Sequence, residues 1–98
     1  MSAKGEVGRL LRELVDATPP PTSGRDPSEI LAEAATIVSG RAPLLQQLTT
    51  ALAAEGANDA ALALRATLDD RDARWQAALT VARREMTQRM TAMRRYRR

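Results

Sequence analysis

The amino-acid sequence predicts an all-α fold: an antiparallel helical hairpin of two long helices, preceded by a short N-terminal helix on a proline-rich linker. Three observations carry this. Apolar residues recur at gaps of three, four and seven, the spacing of a helical face. The apolar content is mostly Ala and Leu, with one Trp, one Tyr and no Phe in 98 residues, which favours helices over strands. Pro and Gly fall between the periodic segments and punctuate them. The chain therefore reads as one small helical domain, with the short helix over residues 1–17, the linker over 18–26 and the hairpin over 27–98. A chain of this size buries only roughly 60 to 65% of its unfolded surface, so reliance on a partner is expected.

The first helix covers Ala3 to Ala17, where Val7, Leu10, Leu11, Leu14 and Val15 share one face. Gly5 and Gly8 weaken its first turns, and a helix of about 15 residues is marginal alone in water. It must dock or fray. Thr18 to Arg25 follows, with three consecutive prolines that remove backbone donors and favour an extended conformation. We read this segment as a spacer that lets the first helix swing or fold back.

The second helix has the clearest start. Asp26 is a capping residue, Pro27 suits the first helical position, and Glu29 stands three residues after the cap, as in a capping box. Leu31, Ala34, Val38, Leu45, Leu48 and Leu52 form the expected seam, flanked by Ile30, Ile37, Leu44 and Ala51. Gly40 and Pro43 predict a kink near residues 39–42, since Pro43 cannot bond the carbonyl of Ser39. Gly56 reads as a left-handed helix stop. Asn58 and Asp59 then open the third helix, which runs to Arg98 with Leu64, Leu68, Trp75, Leu79, Ala82, Met86, Met90 and Met93 on one face.

So short a turn makes the two long helices antiparallel neighbours, and residues whose numbers sum to about 112 face each other. Leu48 then meets Leu64, Leu45 meets Leu68, and Ile37 with Val38 meets Trp75. Each seam has a polar interruption, Arg41 in one and Arg71 with Asp72 in the other, and the rule sets them opposite. An Arg41–Asp72 ion pair is expected to fix the register, because a slipped hairpin strands a charge among leucines. The same rule leaves Met86, Met90, Met93 and Tyr96 beyond the end of the second helix. Either the first helix folds back over them or a partner does, and methionine suits surfaces that accept imperfectly matched apolar partners.

Charge is uneven. Residues 83–98 carry seven arginines against Glu85, a net +6, while residues 1–82 carry eight basic and eleven acidic side chains, a net −3. The absence of Cys and His removes disulfides, thiolate chemistry and the usual acid–base group near neutral pH. Asp69, Asp70 and Asp72 sit beside Arg65, Arg71 and Arg74 on a continuous helix and read as solvated charges, with no metal-ligand spacing. No nucleophile–base constellation or phosphate loop is present, so neither catalysis nor a cofactor is expected. The start lacks a signal-peptide core and no run is long enough to span a membrane, which points to the cytoplasm. The basic tail, Arg94, Arg95, Arg97 and Arg98, suits the helix dipole and is also able to bind phosphates of RNA or DNA.

Arg41 to Leu48, RAPLLQQL, with Leu68 to Arg98, LDDRDARWQAALTVARREMTQRMTAMRRYRR, resembles the flagellar export chaperones of the FlgN and FliT kind. In that family a helix with an R-x-x-L-L-x-x-L pattern leads into a long helix with an arginine-rich end and a tyrosine near the terminus. The likeness covers residues 28–98. It implies a non-enzymatic α-helical chaperone that covers the amphipathic helix of a flagellar structural client and delivers it to the type III export apparatus. Leu79, Met86, Met90 and Met93 would bind the client, and Tyr96 would contact the export gate. The proline linker and the very short first helix depart from the family pattern. Two other readings remain open, an Arg-tail nucleic-acid-binding protein and a self-associating module in which two chains bury each other's methionine overhang.

Overall fold

A computed structural model describes residues 5–56 and 59–96, and all its regular structure is helical. Three helices follow in order: α1 (Glu6–Asp16), α2 (Pro27–Glu55) and α3 (Asp59–Tyr96). The expected start of α1 at Ala3, the cap at Asn58 and the last two arginines, Arg97 and Arg98, lie outside the described residues.

The start of α2 is fixed by Asp26, whose carboxylate accepts the Ser28 backbone N–H at 3.1 Å and also the Ser28 hydroxyl. Glu29 does not complete a capping box about this cap; its carboxylate lies 3.5 Å from Arg25. The helix runs unbroken through Gly40 and Pro43. Both residues are exposed, so the Ser39 carbonyl that Pro43 cannot serve faces water. Gly56 ends the helix at φ +74°, a conformation that favours glycine, and donates its N–H to Leu52 at 2.9 Å.

The inward face of α2 is Ile30, Ala34, Ile37, Arg41, Leu44, Leu48, Ala51 and Glu55, all buried or half-buried. Its gaps alternate four and three, the 3.5-residue period of a coiled-coil seam. On α3 every seventh residue from Ala61 is buried: Leu68, Trp75 and Ala82 follow. This corrects the expected seam. Val38, Leu45 and Leu52 point outward, at 66%, 39% and 37% exposure. They stand one residue beyond Ile37, Leu44 and Ala51, so the side facing α3 is rotated by one position from the expected one.

The core has two parts. At the turn end, Val7, Leu10, Leu11, Leu14 and Val15 of α1 pack with Ala51, Ala61 and Leu68, backed by Leu44, Leu48 and Leu64. At the far end Ile30, Trp75 and Ala82 form a second cluster with Leu31, Ala34, Ile37, Ala78 and Leu79. The first helix therefore docks beside the turn and does not fold back over the methionines.

Both ends of α1 are completed by the hairpin. No side chain of its own caps its N-terminus, where Gly5 stands. Instead the Glu55 carboxylate accepts the N–H groups of Glu6 and Val7 at 3.3 and 3.2 Å. At the other end the Arg71 guanidinium donates to the carbonyls of Val15 and Thr18 at 2.7 and 3.4 Å. An anion thus sits at the positive end of the helix dipole and a cation at the negative end.

The proline segment is a strap and not a free spacer. Thr18 is buried at 1% exposure, donating its hydroxyl to Leu14 and accepting from Arg41 at 3.3 Å. Trp75 donates its indole N–H to the Pro19 carbonyl at 2.6 Å. Residues 22–25 and Pro27 then line a shallow depression with Ala77, Ala78, Val81 and Ala82 of α3. Beside this run Asp26 meets Arg89 at 3.0 Å. The third side of the bundle is therefore α1 at the turn end and irregular chain with a turn at Ser23 and Gly24 at the other.

Arg41 and Asp72 lie together across the hairpin, with guanidinium–carboxylate contacts of 2.6 and 3.3 Å. The Arg41 side chain is 14% exposed and Asp72 39%, so the pair is partly desolvated. Arg41→Glu is expected to cost about 3 kcal/mol, the low end for a broken buried pair because Asp72 keeps some water. Arg41→Glu/Asp72→Arg should recover a large part in urea unfolding, and an unchanged midpoint for the single variant would refute the register role. A second expectation concerns acid. Hydrogen bonds from the Ser28 hydroxyl, then Arg89 and the Ser28 N–H, hold the Asp26 carboxyl below its ordinary value. The stability it contributes is present above the unfolded carboxylate range and is lost as pH falls through the lower folded value. The melting temperature of Asp26→Asn, which still caps, should fall less steeply below about pH 4 than that of wild type.

Candidate functional site

The site follows from a mismatch of length. α3 has 38 residues and α2 has 29. The helices start together at the Gly56 turn, so the surplus projects past the beginning of α2, whose cap residue Asp26 is level with Arg89. With α1 docked at the turn end, nothing among the described residues covers what projects.

The apolar side chains of α3 change role along this axis. Leu79 belongs to the cluster of Ile30, Trp75 and Ala82 and packs inside the hairpin, so it is not part of an open client surface. Met86 is half-buried at the margin. Met90 and Met93 are 53% and 58% exposed, and Tyr96 is 93% exposed. The stripe available to another molecule thus begins at Met86 and includes Met90 and Met93, with Tyr96 one turn further. Its spacing of four and three places these groups on one face.

Arginines surround the stripe. Arg83, Arg84, Arg94 and Arg95 are exposed, and no ion pair joins them to another described residue. Arg89 is held by Asp26. The projecting end therefore combines a flexible, polarisable apolar face with uncompensated positive charge, and Arg94 with Arg95 in the last turn suits the dipole. Such a surface fits an amphipathic helix with acidic flanks, or a polyanion. Elsewhere Asp70 pairs with Arg74 at 3.1 Å and Asp72 with Arg41 across the hairpin. Among the described residues no group of three acidic side chains gathers to hold a metal ion, and no helix is long and apolar enough to cross a membrane.

A second open apolar surface escaped the sequence reading because its residues were assigned to the seam. Val38, Leu45 and Leu52 of α2 are exposed, and Leu62 of α3, at 54%, lines the same groove as Leu52. The signal was present as an unbroken heptad from Leu31 to Leu52. It was hidden by a parallel heptad of similar apolarity from Ile30 to Ala51.

Truncation separates core from surface on α3. Met90→Glu/Met93→Glu should leave the unfolding free energy within about 0.5 kcal/mol of wild type, whereas Leu79→Ala should cost roughly 2 kcal/mol. Equal losses in denaturant unfolding would place the methionines in the core. Compared with known proteins, the chain matches no protein-family model, no curated protein and no solved structure.

Proposed function

We propose that this protein is a helical chaperone or adaptor that covers an amphipathic helix of a client protein, using the Met86–Met90–Met93 face at the projecting end of α3. One observation carries the reading: α3 outruns α2 and α1 docks at the opposite end, so an apolar stripe framed by arginines stands uncovered. A bundle of three elements that offers one helix beyond its own core supplies a groove edge for a further helix. Methionines tolerate variation in the apolar residues they meet, and the arginines favour clients with acidic residues beside their apolar face.

The resemblance of residues 41–48 and 68–98 to flagellar export chaperones gives this role a setting. The client would be a flagellar structural protein, the destination the type III export apparatus, and Tyr96 the group offered to the export gate. Nucleic-acid binding by Arg94 and Arg95 is the rival reading, and salt separates the two. Phosphate contacts weaken steeply as salt rises, whereas burial of methionine does not.

The test is affinity purification of the tagged chain from its host in high salt, comparing wild type with Met90→Glu/Met93→Glu by mass spectrometry. A single structural protein that accompanies wild type and is lost from the variant supports the proposal. The same set with both forms, or nucleic acid alone at low salt, overturns it.

A further inference from the structure

We infer that the outer face of α2 is a homodimer interface, in which two copies of this chain pack antiparallel along Leu31, Ala35, Val38, Ala42, Leu45, Thr49 and Leu52. The gaps between these residues alternate four and three, so α2 carries a second coiled-coil seam one residue out of step with the one that faces α3. Val38, Leu45 and Leu52 are exposed, as are Ala35, Ala42 and Thr49 between them, while Leu31 at the end of the seam is half-buried and also packs with Ile30 and Trp75.

The surroundings of this seam are those of a buried helix. Between Glu33 and Glu55 the one charged residue of α2 is Arg41, and it is turned inward to Asp72. The exposed positions there are Ala, Thr, Ser, Gly, Pro, Gln and the apolar column, in a chain that is 28% charged. Depletion of charge marks the core of an interface, and a helix that is apolar on more than one side is a buried one. The hydroxyls of Thr36, Thr49 and Thr50 already donate to carbonyls four residues back, at 3.2, 3.0 and 3.2 Å. Covering these three leaves their hydroxyl protons with acceptors.

The occupant follows from size and charge. Large and small residues alternate along the seam, and the order is the same read in either direction. Antiparallel copies related by a two-fold axis near Ala42 set Leu31 against Leu52, Val38 against Leu45 and Ala35 against Thr49. The small positions let the two backbones approach while the large ones interlock. Electrostatics selects this direction. A parallel pair would bring two arginine-rich ends together, whereas the antiparallel pair sends them to opposite ends and joins the uncharged stretch of α2, with Arg65 and Asp69 beside Leu52 at its margin. The same repulsion argues against dimerisation through the methionine overhangs. The seam is about 30 Å long on a molecule 20 Å across, which offers on the order of 600 Å² per chain, at the lower end of specific interfaces. Both projecting methionine faces remain open in such a dimer.

The test is the mass of the full chain in solution by sedimentation equilibrium at micromolar concentration. Wild type and Met90→Glu/Met93→Glu should have twice the chain mass, and Val38→Glu/Leu45→Glu the mass of one chain with unchanged helical circular dichroism. The chain has no cysteine, so introduced thiols report register cleanly. Val38→Cys mixed with Leu45→Cys should form a disulfide-linked pair on oxidation, while either alone should link several-fold less, because like positions lie about 10 Å apart along the axis. A monomeric wild type would overturn the inference and assign the seam to a helix of another protein. So would a dimer that survives Val38→Glu/Leu45→Glu, one dissolved by the methionine variant, or self-linking by Val38→Cys.

Discussion

Midway along the hairpin, two guanidinium groups hold four pieces of chain together, and the remaining geometry depends on them. Arg41 of α2 grips Asp72 of α3 and reaches the Thr18 hydroxyl; Arg71, the neighbour of Asp72, closes the end of α1. Each contact lies where apolar packing alone would permit sliding, because seams of repeating Leu and Ala are nearly degenerate on a shift of seven residues. The charges remove that degeneracy. Once Arg41 is opposite Asp72, the length of α3 beyond α2 is determined, and with it the exposure of Met90 and Met93.

The same node divides the molecule into unequal halves. Toward the turn three helices enclose leucine and valine, and Val7, Leu10 and Leu14 are fully buried. Away from it two helices and a strap enclose one tryptophan with Ile30, Ile37, Leu31, Leu79 and three alanines. Trp75 compensates for the thinner wall by its size and by its bond to Pro19, which anchors backbone that has no secondary structure. Two clamps of opposite sign, Glu55 and Arg71, replace the caps that the sequence of α1 lacks. That helix, too short to persist alone, is stable only as part of the hairpin.

Much of this was legible in the sequence. Asp26–Pro27 and Gly56 marked the ends of α2, and the Arg41–Asp72 pairing followed from two charges interrupting two seams at matched distances from the turn. The docking of α1 was not legible, because Glu55 and Arg71 lie 49 and 56 residues from the groups they cap and no local spacing connects them. The side of α2 that faces inward was misread for a different reason. Ile30–Ile37–Leu44–Ala51 and Leu31–Val38–Leu45–Leu52 are both apolar heptads, and periodicity cannot rank two seams that differ by one residue when the helix is apolar on both sides. Of the site, the methionine stripe was visible as a consequence of helix length, while the place of Leu79 required knowing that Ile30 and Trp75 close over it.

The proline strap has a metric role. From the level of Arg71 to that of Arg89, α3 advances 18 residues, about 27 Å at helical rise. Thr18 to Asp26 spans this interval in eight steps, as irregular chain over residues 19–22 followed by a turn at Ser23 and Gly24, where Gly24 has φ +80°. The strap is tied at both ends of the interval, by Arg71 at Thr18 and by Arg89 at Asp26, and its far end marks where α2 begins. A chain with a longer or more supple segment there would keep the same three helices yet lose the fixed tether between α1 and the base of the projecting arm.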